Sequence, residues 1–210
     1  MWVALFRRML SLSIEILDSE ELFFLGIRAS ENNDHEKALI YFKKSIELDK
    51  SARSVYLLGA EYAEIGMFER AYVTMQEAVL LEPELWDAHF QSGLVKFVVG
   101  DVKTAETAWK PLDQLHEDSA LVLFKRGILA FSSGNKLDGE KLINQGISSN
   151  VTNPAMNQVM SSLLAKLLEM EFQSSFARDA IDQVETVEED DKHEKMNRLF
   201  MQAYKSKTRQ

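Results

Sequence analysis

The residues with the widest chemical reach in this chain are four histidines, His35, His89, His116 and His193. An imidazole titrates near neutrality and can act as base, acid or metal ligand. These four are far apart, and neither HExxH nor any other paired-histidine spacing brings two of them to one helix face. His89 reads as a helix residue tucked between packed elements. The run Glu188-Glu189-Asp190-Asp191 could hold calcium loosely, but it lacks the glycine and the alternation of a calcium loop and reads as a solvated charged face. The chain has no cysteine, which excludes disulfides, thiolate zinc sites and thiol nucleophiles. All nine glycines belong to a different pattern, so none forms a phosphate-cradling loop. No catalytic residue, metal ligand or cofactor site is expected, and the chain is not read as an enzyme.

The composition suits a chain that buries a core, with 46% hydrophobic and 27% charged residues. Its 210 residues fit one well-buried domain better than two independent folds. The formal net charge of −9 argues against holding nucleic-acid phosphates. Met1 to Leu17 is apolar, but Arg7 and Arg8 interrupt it and Glu15 and Asp18 close it. It is too short and too charged to span a bilayer and has the wrong charge order for a secretion signal. A cytoplasmic location without membrane contact is the expectation.

The elements that position everything else are announced by the glycines. Gly26, Gly59, Gly93 and Gly127 follow one another at intervals of 33, 34 and 34 residues. Gly66, Gly100 and Gly134 form a second series seven residues further on, with Asn33 in the corresponding place of the first repeat. Twelve residues beyond the first series stand Ala38, Ala71, Ala105 and Gly139, small every time. The intervening apolar spacing is helical, so each period reads as a helical hairpin. The first glycine lets two backbones approach, and the second ends the first helix in a left-handed conformation. Phe42, Met75, Trp109 and Ile143 are expected to fill the space between successive hairpins.

This pattern resembles the tetratricopeptide repeat family, whose 34-residue signature is W-x2-L-G-x2-Y, then A-x3-F, then P. The second repeat carries it most clearly, in Val55, Leu58, Gly59, Tyr62, Ala71, Met75, Ala78 and Pro83. The first repeat has Leu22, Leu25, Gly26, Ala29, Ala38 and Phe42, but Lys50 in place of the proline. His89, Ser92 and Lys96 depart from the signature in the third repeat, as do Arg126, Gly139 and Gly146 in the fourth. The resemblance implies an all-α, right-handed superhelical solenoid of about four hairpins, residues 19–51, 52–85, 86–119 and 120–153, with terminal capping helices. Residues 1–18 are expected to form an N-terminal helix or arm, residues 154–184 a capping helix or a degenerate fifth hairpin, and 185–210 a charged helical tail.

The resemblance also implies that positions 5, 9 and 12 of each first helix line a groove. Position 5 is Phe23, Tyr56, Phe90 and Phe124, an aromatic every time. Position 9 is Ile27, Ala60, Leu94 and Ile128, and position 12 supplies Phe97 and Phe131 in the last two repeats. The family's carboxylate clamp for chaperone tails needs Lys and Asn where Phe23 and Ile27 stand, so that reading is rejected. The expected function is a non-catalytic interaction scaffold or chaperone-like adaptor whose partner is a protein or peptide with an apolar segment or amphipathic helix. The alternative is a structural subunit that self-associates through residues 1–17 or the tail.

Overall fold

A computed structural model describes residues 17–181, with side chains through Glu169. The arm expected over 1–18 and the tail expected over 185–210 lie outside these residues, apart from Leu17 and Asp18. Every regular element among the described residues is helical. They are α1 (Ser19–Glu31), α2 (His35–Leu48), α3 (Ala52–Glu64), α4 (Phe68–Leu81), α5 (Trp86–Val98), α6 (Val102–Trp109), a 3-10 helix (Lys110–Gln114), α7 (Ala120–Ser132), α8 (Lys136–Ser149) and α9 (Pro154–Ile181). The helices pair as α1 with α2, α3 with α4, α5 with α6 and α7 with α8.

One turn joins each pair. Asn33, Gly66, Gly100 and Gly134 all have positive φ, between 56° and 90°. The following amide reaches back to the first helix: Asp34 N to Ala29 O, Met67 N to Tyr62 O, Asp101 N to Lys96 O and Asn135 N to Ala130 O, at 2.8–2.9 Å. This closing bond satisfies a carbonyl that the helix end would leave bare. Asp34 and Asp101 then cap the next helix through the amides of Lys37 and Thr104. The Lys37 side chain, hydrogen-bonded to Asp34, holds that carboxyl below its usual value. Asp18 and Glu21 form a reciprocal capping box at α1. Because the left-handed turn costs a side chain about 1–2 kcal/mol, Gly66→Ala should lose that much stability. Asn33→Gly should move the melting temperature the other way by less. Thermal melts of both variants check the sign.

Within each hairpin the two helices pack at the first-series glycine, and Phe42, Met75, Trp109 and Ile143, expected to fill the space between successive hairpins, have a place inside their own. Each lies over the glycine of its own hairpin, where an added Cβ would stand 2.2–2.8 Å from it. All four are buried. The missing glycine side chain is the socket, and the large residue fills it.

The helices group into two compact units, Met1–Leu85 and Trp86–Gln210. In the first, α2 packs on α3 and so stacks the two hairpins. Ser45 Oγ supports the junction, donating to Ser19 O at 2.8 Å and lying 3.2 Å from Ser54 Oγ. In the second unit, Pro111 cannot donate to a helix ladder, and α6 ends after eight residues in the short 3-10 helix that buries Leu112. That break is not foreshadowed by the repeat pattern. Helix α9 runs unbroken for 28 residues, so Phe172, Phe176, Ala180 and Ile181 continue one helix instead of opening a fifth hairpin.

Candidate functional site

The ten residues expected to line a groove fall into two groups. In the first unit, Ile27, Tyr56 and Ala60 are half-buried. Phe23 is nearly covered: its ring meets Phe24 edge-on at 5.5 Å and Phe42 at 6.3 Å, and the Arg53 guanidinium lies over it at 5.3 Å from the centroid. Phe24 itself is 57% exposed, and Arg53 is exposed. Those of these side chains that reach solvent are thus a large ring, two aliphatic groups, a tyrosine and a cation.

In the second unit, Phe90, Leu94, Phe97, Phe124, Ile128 and Phe131 are at most 2% exposed. Phe90 stacks on Trp109 at 6.1 Å and 22°, and meets Phe124 at 5.9 Å. Phe97 meets the same indole at 5.7 Å. Phe131 and Phe124 press on Gly139 and Gly146 of α8, where a Cβ would stand 2.5 Å and 2.7 Å from the rings. The two glycines that depart from the repeat signature thus make room for two rings that the signature does not require. These rings serve hairpin packing, which is a physical reason for Phe124 at position 5 and Phe131 at position 12 beyond lining a groove.

Polar groups that the sequence did not single out join the hairpins of the first unit. Glu61 is 2% exposed. Its Oε2 accepts from Ser30 Oγ at 2.7 Å, and its Oε1 lies 2.5 Å from His35 Nδ1. A buried carboxylate must find such partners, so Glu61 holds the second hairpin to the end of α1 and the start of α2. The available signal was a lone acid between Ala60 and Tyr62 on an otherwise apolar helix face. In the second unit, His89 is buried with its ring 5.9 Å from Trp86, as expected for a packed residue, and His116 is exposed beside Asp118. Among the described residues no group of three or more His, Asp or Glu side chains could hold a metal ion, and no helix is long and apolar enough to cross a membrane.

A family model described as Tetratricopeptide repeat matches residues 23–51. Solved structures similar to the chain include one titled "Crystal structure of MamA", at 22% identity with a TM-score of 0.52, covering 65% of this chain and 81% of that one. A second is MamA 41-end from Desulfovibrio magneticus RS-1, at 16% identity and a TM-score of 0.52, covering 74% and 96%. A MamA RS-1 double mutant is similar at 15% identity with the same score and coverage. At these identities the likeness is one of fold. The repeat match over residues 23–51, the four hairpins with their left-handed turns and this likeness agree on one fold: an all-α array of helical hairpins of the tetratricopeptide-repeat kind.

Proposed function

We propose that this chain is a non-catalytic protein-interaction scaffold or chaperone-like adaptor, acting in the cytoplasm. In this reading it receives an apolar peptide or one face of an amphipathic helix on the first-helix surface of its first unit. The observation that supports the reading is the contrast between the units. At positions 5 and 9, Ile27, Tyr56 and Ala60 remain half-exposed beside exposed Phe24, whereas the equivalent residues of the second unit are closed to solvent. Exposed apolar side chains grouped in this way mark interaction surfaces. Arg53 adds a cation beside the rings, which suits a helix carrying an acidic residue next to its apolar stripe.

The test is binding of fluorescent amphipathic helical peptides, followed by anisotropy. Covering a large apolar side chain contributes about 1.5–3 kcal/mol, so Ile27→Glu with Tyr56→Glu should weaken binding by tenfold or more. Both residues are half-exposed, so the helical circular-dichroism spectrum should persist. Unchanged affinity in a folded variant would refute this surface. If light scattering instead shows that Met1–Leu17 controls the mass of the particle, the assembly reading gains at its expense.

A further inference from the structure

Helix α9 begins in an unusual way. Asn153 uses both ends of its side-chain amide: Oδ1 accepts from Met156 N and caps α9, while Nδ2 donates to Asp87 Oδ1 at 3.0 Å. Asp87 lies in the first turn of α5, 66 residues earlier. The turn before α9 is braced by a second clasp, in which Asn150 Nδ2 donates to Asn157 Oδ1 and Asn157 Nδ2 to Asn150 O, each at 2.8 Å. The start of α9 is thereby fastened to the start of α5 as well as to α8, on which it packs. In the second unit, then, the last helix is tied back to the first.

The burial of this unit matches that clasp. Met156, Met160, Leu163, Leu164 and Leu167 are all buried and fall at i, i+4, i+7, i+8 and i+11, one stripe of α9. On the first helices, Leu94 and Ile128 at position 9 are also closed, although Ile27 and Ala60 at position 9 of the first unit are half-exposed. Burial pushes the Lys166 ammonium below its ordinary value, so water is partly excluded one turn beyond Leu163. Methionine and leucine stripes adapt to irregular aromatic surfaces, which is the composition found on helices that dock in grooves.

We propose that the first-helix face of the second unit is a helix-receiving surface and that α9 is its resident ligand, seated by the Asn153–Asp87 clasp and displaceable by a partner helix with the same apolar stripe. This inference concerns the second unit and a contact within the chain itself, which a partner helix would have to displace. It therefore stands or falls separately from the surface proposed on the first.

Asp87→Ala in the full chain removes the clasp and leaves the α9 cap intact. Hydrogen–deuterium exchange should then rise about tenfold over 154–168, the effect of one lost hydrogen bond, while 136–149 stays protected. Met160→Glu with Leu164→Glu should expel α9, create a dye-binding apolar surface and allow a synthetic peptide of residues 154–169 to bind in trans. The wild-type chain should bind that peptide far more weakly. The proposal is overturned if Asp87→Ala leaves exchange over 154–168 unchanged, if α5, α7 and α8 lose protection together with α9 in that variant, or if the peptide shows no preference for the expelled form.

Discussion

Phe90→Glu is expected to unfold the second unit instead of silencing a binding surface. The ring is fully buried, stacked on Trp109 and tilted against Phe124. Removing such a ring costs about 3–5 kcal/mol through lost contacts and the cavity left behind. The incoming carboxylate would be enclosed by Trp109 and Phe124, with no cation among the ring contacts to pair with it, and burying an unpaired charge adds several kcal/mol more. The combined penalty is comparable to the 5–15 kcal/mol that stabilises a whole domain. Circular-dichroism melts should show the helical signal reduced at 25 °C or lost at a much lower temperature. A variant that melts like the wild type would mean that the ring can turn outward, restoring the groove role that its repeat position suggests. Tyr56→Glu, the same change at the same repeat position in the first unit, replaces a half-exposed ring and should be tolerated.

That contrast shows where the sequence is readable. The hairpins and their turns are legible because their determinants are local. A left-handed residue at 33, 66, 100 and 134 is required by the backbone at that residue, and only Gly or Asn accepts it cheaply. The path of a side chain from a first helix is less legible, because it depends on what the facing helix leaves vacant. Gly139 and Gly146 look like weakened matches to the repeat, yet they are the complements of Phe131 and Phe124. Reading each repeat against the family signature separates the two halves of that pair; reading the hairpin as one packing problem would have joined them. Asp87 and Asn153 are harder still. Their hydrogen bond spans 66 residues, and neither residue type announces it. Glu61 sits between these cases, since an acid on an apolar helix face signals a buried partner without saying which one.

Gly93 and Trp109 offer the sharpest test of the socket geometry, because their substitutions should compensate one another. An added Cβ on Gly93 would stand 2.2 Å from the indole Nε1 and 2.4 Å from Cδ1, well inside contact distance. The indole cannot simply swing away, since its Nε1 donates to Phe90 O at 2.8 Å and its rings pack against both Phe90 and Phe97. Gly93→Ala should therefore cost about 1–3 kcal/mol by overpacking. Trp109→Ala removes the indole and its hydrogen bond and should cost about 3–5 kcal/mol. In the double variant the new methyl enters the space that the indole has left, so the clash disappears and part of the cavity is filled. The double variant should then be more stable than the sum of the single losses implies, by about 1–3 kcal/mol, the range typical of residues in contact. Urea denaturation of the four proteins, followed by helical circular dichroism, measures this coupling directly. Strict additivity would mean that the glycine does not seat the indole, and the register linking each first-series glycine to the residue sixteen positions later would have to be redrawn.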